Sequence, residues 1–148
     1  MTISLERALR HMAWANQKVY QAVETLPDES LQSYVVNKEW TAYEIVFHIC
    51  QSAGFYVWRL GIGEKPADIE EPAKVATLKK LLEIHDKNLL LAVGQEDREI
   101  EFKREDKVIH RWASTILTQA VHHATEHRAQ LIDTLEYKGF KPINLDDI

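Results

Sequence analysis

Four stretches of this chain repeat apolar residues at spacings of three and four, and each closes on proline or glycine. That pattern constrains the fold more than any other feature. The first stretch, residues 4–26, carries Leu5, Ala8, Leu9, Met12, Ala15, Val19, Ala22, Val23 and Leu26 and ends at Pro27-Asp28. Ser4 is its N-cap, although Arg7 prevents a full capping box. The second opens at Thr41, with Glu44 three residues on, and carries Ile45, Val46, Ile49, Ala53, Tyr56, Val57 and Leu60 before Gly61. The third, residues 74–93, aligns Leu78, Leu82, His85, Leu89 and Val93 and stops at Gly94. The fourth runs from Trp112-Ala113-Ser114 to Tyr137, with Lys138-Gly139 as its stop.

The predicted class is all-α: one four-helix bundle domain over residues 1–148, with a long second connection at 65–74. Between helices 3 and 4, Glu99-Ile100-Glu101-Phe102-Lys103 alternates strictly, and Val108-Ile109 lies beyond a charged turn. These are a candidate short β-hairpin, a unit that is marginal alone. The tail 140–148 has no period.

At 148 residues and 45% hydrophobic content there is apolar material for one core. The longest apolar runs are far short of the roughly 20 residues a membrane span needs. No basic segment followed by an apolar run opens the chain, which predicts no signal peptide. Cys50 is the single cysteine, so an internal disulfide and a cysteine zinc cluster are both excluded, and a reducing cytoplasmic setting is expected. Net charge is −5, and the basic residues are scattered singly among acids, so no nucleic-acid partner is expected.

Histidine is the unusual count: seven, of which His122, His123 and His127 fall together in helix 4. On a helical wheel with Trp112 at zero, the apolar arc spans about 0 to 140°. His123 falls at about 20° and His127 at about 60°, inside the arc, while His122 falls at about 280°, among polar residues. An inward pair spaced i, i+4 is the arrangement with which a helix offers two nitrogens to one metal ion. The competing explanation is a satisfied pair of core histidines, and spacing alone is a weak motif. A third ligand from another helix strengthens the metal reading. The candidates are His48, at the edge of the apolar face of helix 2, His85, on the stripe of helix 3, and His11.

Met12-Ala13-Trp14-Ala15-Asn16, His48-Ile49 and His123-x-x-x-His127-Arg128-x-Gln130 together resemble the DinB-like (DinB/YfiT-like) superfamily, in order and spacing, over nearly the whole chain. The family's helix-4 signature has glycine where this chain has Ala129, a position that is not a ligand. The resemblance implies a four-helix bundle, often dimeric, in which three histidines bind a divalent metal such as zinc or nickel. Carried onto this sequence, they are His48, His123 and His127. It also implies, for some branches, a transferase using a low-molecular-weight thiol such as bacillithiol or mycothiol, and for others an isomerase of similar thiol dependence.

Three neutral imidazoles leave an ion with at least one open position, the catalytic pattern. A thiol bound there is deprotonated, and the thiolate attacks a small electrophilic substrate. Cys50 lies two residues from His48 on another side of the helix and reads as a small buried residue. Glu44, one turn before His48, and Glu126, one residue before His127, are candidate outer partners for the ligands' second nitrogens, with solvated helix charge as the competing reading; Gln130, one turn after His127 and near the apolar arc, is the better candidate. Arg128, at about 160°, suits an interface or an ion pair. Two other function classes stand beside the transferase. One is a metal-dependent hydrolase, for which no general base is evident. The other is a non-enzymatic stress-response or metal-binding module. A di-iron carboxylate bundle needs Glu-x-x-His, which occurs nowhere here. The apolar surface of helix 2 exceeds one stripe, with Phe47, Phe55 and Trp58 outside the core arc. A homodimer, or cover by the connection and tail, accounts for it.

Overall fold

The computed structural model describes residues 3–67, 69 and 72–144. Its elements, in order, are α1 (Leu5–Glu24), a 3-10 turn (Asp28–Gln32), α2 (Ala42–Arg59), α3 (Val75–Ala92), β1 (Glu99–Arg104), β2 (Lys107–Trp112) and α4 (Ala113–Tyr137). The expected caps form: Ser4 Oγ accepts from the Arg7 N–H at 3.2 Å and Thr41 Oγ1 from the Glu44 N–H at 3.3 Å. Of the expected linker, residues 68, 70 and 71 lie outside the described residues, as do 145–148 of the tail. No helix among the described residues is long and apolar enough to cross a membrane.

α1 and α2 each pack chiefly against α3 and α4, so α1 and α2 face each other across a diagonal. The bundle is therefore not a simple up-and-down array. The diagonals are spanned by the first and third connections, while the second joins neighbours.

The third connection contains the hairpin, antiparallel, with Phe102 opposite Ile109 and Ile100 opposite Arg111. Its ends are tied to the bundle. Arg98 donates from Nη2 to the Leu60 carbonyl at the end of α2, at 2.9 Å. Trp112 sits at the N-cap of α4 and offers no side-chain cap. Asp97 supplies one from before β1, accepting from the Ser114 N–H at 2.9 Å and from its hydroxyl at 2.7 Å. These bonds hold the Asp97 carboxyl below the usual carboxylate range. Two strands that are marginal alone are thus clamped at both ends. Trp112, the first residue of the wheel's apolar arc, closes β2 instead and is 54% exposed.

The core is in two parts. One holds Val19, Tyr20, Ile45, Leu78, Leu82, Leu131 and Leu135. The other holds Leu9, Met12, Val57, Leu89, Ile116 and Ala120. A buried polar layer lies between them along each of three helices: Asn16 on α1, Asp86 on α3 and Arg128 on α4. Arg128 Nη1 donates to Asn16 Oδ1 at 2.6 Å, and Asn16 Nδ2 donates to Asp86 Oδ2 at 3.0 Å. The amide bridges cation and anion with one group of each polarity, which is the condition for burying charge without ruinous desolvation. Asp86 takes the core position expected for His85. His85 lies half-buried beside Gly54 of α2, where a Cβ would come within 2.9 Å of its Nε2.

Candidate metal centre

α2 shows His48 to α4 and Gly54 to α3, so His48 and His85 cannot share a site. Of the three candidates for a third imidazole, the structure brings His48 to the pair on α4. The rings of His48, His123 and His127 have centroids 4.3 to 4.9 Å apart. One ring nitrogen from each lies within 4.8 Å of the other two, and His48 Nε2 is 3.0 Å from His123 Nε2. Three nitrogens about 2.0–2.1 Å from one tetrahedral ion would be about 3.3 Å apart. The cluster therefore has the donor type to hold a divalent ion, and its His48–His123 separation is close to that spacing. His122 is exposed, on the opposite side of α4. No fourth His, Cys, Asp or Glu joins the group among the described residues.

Gln130 sits where a partner is needed. Its Oε1 is 2.9 Å from His127 Nδ1, so a neutral His127 donating there turns its Nε2 lone pair to the cluster. Glu44 is half-buried one turn before His48, with its N–H on the Thr41 cap. Two aromatic neighbours were not legible as site residues in the sequence. Trp40 stands edge-on to His48 and His127, with centroids at 5.3 and 6.0 Å. Tyr56 meets His123 edge-on at 5.8 Å. Tyr56 had a signal: it follows His48 by two turns, and so shares its face. Trp40 had one only in preceding the Thr41 cap.

Burial disfavours the charged imidazolium. It lowers the pKa of His48, helped by His127, and lowers His123 to about 4, helped by His127 and His48. His85 is lowered by burial alone. Asp86 moves the other way, raised to about 6 by burial, against the pull of Asn16 and Arg128. These shifts predict how the metal-free protein responds to acid. Between pH 6.5 and about 4 the unfolded chain protonates histidines that the folded chain keeps neutral, so stability falls with falling pH. Over nearly the same window the folded chain protonates Asp86 before the unfolded chain does, which opposes that fall. Three histidines against one carboxylate should leave a net loss. The urea midpoint of chelator-treated protein is expected to drop between pH 7 and pH 5, and to drop more steeply in Asp86→Asn. A midpoint that rises on acidification would contradict this.

Cys50 is buried, its Sγ donating to the Leu78 carbonyl at 3.4 Å, and burial pushes its thiol up to about 12. The chain's single thiol is therefore held protonated inside the core, away from the histidines.

A family model, described as the DinB family, matches residues 1–148, the whole of the sequence. No match is found among curated proteins or among solved structures.

Proposed function

The chain belongs to the DinB family, and on that premise we propose that it is a metal-dependent transferase acting through a low-molecular-weight thiol. His48, His123 and His127 hold one divalent ion, zinc or nickel. The thiol, of the bacillithiol or mycothiol kind, releases its proton to solvent and attacks an electrophilic carbon of a small substrate, forming a C–S bond as a leaving group such as halide departs with the electron pair of the broken bond. The observation that carries this reading is the three-histidine cluster with no fourth His, Cys, Asp or Glu among the described residues. An ion held by these three residues would supply Lewis acidity that lowers the pKa of a thiol brought to it. Cys50 cannot be the nucleophile, so sulfur must come from outside the chain.

The chain's own residues orient and enclose. Gln130 holds His127 in one tautomer, and Glu44 is the proposed outer partner of His48. Trp40 and Tyr56 wall the imidazoles with aromatic edges and limit water at the site. Neither carries a base at neutral pH, since burial raises the Tyr56 phenol further. That favours thiol transfer over hydrolysis, which wants a general base beside the activated water. A homodimer stays in the proposal on narrower ground: Phe47 is buried in the chain's own core, whereas Trp58 remains 39% exposed beside Phe55. Sedimentation equilibrium against the 17.2 kDa chain mass reads it directly.

Elemental analysis of protein purified without a metal-affinity tag tests the metal, with one zinc or nickel per chain expected. Thiol consumption is then followed with bacillithiol or mycothiol and a chromogenic aryl halide, before and after chelation. Metal-dependent consumption supports transfer, turnover of an ester or amide panel instead would show a hydrolase, and metal-free protein would sink both. Gln130→Ala is expected to weaken metal binding by about 10–100-fold, the usual effect of removing an outer partner of a ligating histidine. Competition with a zinc-chelating dye measures it, and an unchanged constant would remove Gln130 from the site.

A further inference from the structure

Beside the histidine cluster, the hairpin builds a cavity that the metal reading does not use. Side chains alternate across β1, so Ile100, Phe102 and Arg104 share one face, and the antiparallel register adds Arg111, Ile109 and Lys107 to it. Phe102, Arg104 and Arg111 bound a cavity of about 340 Å³ together with Arg59 and Tyr56 of α2 and Gln119 of α4. Glu99 and Glu101 fall on the other face, where they approach His110.

Three arginines therefore line one cavity in a chain of net charge −5, and no carboxylate residue lines it. Among the described residues none of the three forms an ion pair. Arg59 lies 4.4 Å over the Phe102 ring, and its Nε is buried without a protein acceptor. Arg111 spends Nη1 on the His110 carbonyl at 2.8 Å and keeps its other donors. Gathering like charges without counter-charge is unfavourable for the free protein, and an anion with several acceptor oxygens relieves it. Tyr56 forms part of the cavity wall and touches His123, so the cavity and the histidine cluster share one side chain.

We propose that this cavity binds a small organic anion carrying two or more acidic groups, carboxylate or phosphate, gripped by Arg59, Arg104 and Arg111 with its remaining end directed past Tyr56 to His123. The anion is the substrate or cosubstrate of the reaction above, and in that respect the inference rests on the proposed function. Binding itself rests on the arginines alone.

Calorimetric titration at constant ionic strength tests it on the full chain, metal-loaded and metal-stripped, with succinate, inorganic phosphate and the neutral succinamide as probes. The expected result is binding of an anion and none of succinamide, with the tighter of succinate and phosphate identifying the acidic group. Arg104 and Arg111 are exposed, so Arg104→Gln and Arg111→Gln leave packing intact, and each is expected to weaken binding by about tenfold. Lys107→Gln, on the same strand face but outside the cavity, should leave it unchanged. The proposal is overturned if neither anion binds wild-type protein, or if Arg104→Gln/Arg111→Gln binds as tightly as wild type. It is also overturned if Lys107→Gln weakens binding equally, which would mean only a diffuse positive field. Loss of anion binding with thiol transfer intact removes this inference and spares the transferase; intact anion binding without transfer does the reverse.

Discussion

His123→Ala is expected to lose its zinc or nickel entirely under dialysis conditions in which wild-type protein keeps one ion per chain. His123 links the two helices of the cluster: its ring lies 4.9 Å from that of His48 and 4.3 Å from that of His127, and its Nε2 is 3.0 Å from His48 Nε2. Removing it leaves two imidazoles on different helices, and no further His, Cys, Asp or Glu among the described residues joins the group to replace it. His122→Ala is the matched control, one residue away and exposed, and should keep full occupancy. Elemental analysis of both variants decides the matter. Metal retained in His123→Ala and lost in His122→Ala would put the site on the opposite face of α4. Circular dichroism separates loss of a ligand from loss of the fold.

Arg128→Leu is expected to cost about 3–5 kcal/mol of stability at pH 7.5, the range for leaving a buried charge uncompensated, here across the bridging Asn16 amide. For a chain of this size that lowers the melting temperature by on the order of 10 °C. The side chain is 5% exposed, and it donates to Asn16 Oδ1 at 2.6 Å and to Thr125 Oγ1 at 3.2 Å. Without it, Asp86, whose Oδ1 has no protein donor even in the wild-type fold, is left as a buried anion with no cation in its layer. Its carboxyl, already raised to about 6, must rise further. The sign of the pH effect follows. Above that pKa the variant carries the full penalty of an unpaired charge, and below it protonation relieves the penalty. The loss should therefore be smaller at pH 5.5 than at pH 7.5. Thermal melts at the two pH values measure it, and a loss below about 1 kcal/mol at pH 7.5 would show that solvent reaches Arg128 freely.

Helices, caps and hairpin were legible because each is set by local spacing. The orientation of His123 and His127 was legible for the same reason: one helix turns at a known angle per residue, and Ile116, Ala120, Ala124 and Leu131 mark its inner side. The match of the family model over residues 1–148 agrees with what the histidines and Arg128-x-Gln130 indicate. The choice among His48, His85 and His11 was not legible from spacing, since it depends on which helix faces which. The resemblance supplied His48, and the α2–α4 contact brings it there. Asp86 was hidden by its neighbour: a stripe drawn through Leu82 and Leu89 accepts position 85 or 86 equally well. The buried residue is Asp86 because Asn16 meets it and carries it to Arg128, a fact about three helices. The arginine cavity was hidden for the same reason. Arg59, Arg104 and Arg111 are single charges in the sequence, and only the hairpin folding onto α2 and α4 makes them a cluster.

The Asn16–Asp86–Arg128 layer also acts as an alignment pin. Hydrocarbon tolerates sliding: a helix displaced by one turn, about 5.4 Å, still offers leucine to leucine. It does not tolerate Arg128 parted from Asn16 and Asp86, so the layer admits one axial setting of α4 against α1 and α3. His123 and His127 ride on the same helix, less than two turns before Arg128, and are delivered to the height of His48 by that setting. A chain with all three layer residues replaced by well-packed apolar ones would therefore keep or raise its stability. What it would lose is the vernier: imidazoles no longer held in step, and a melting curve that records nothing of the loss.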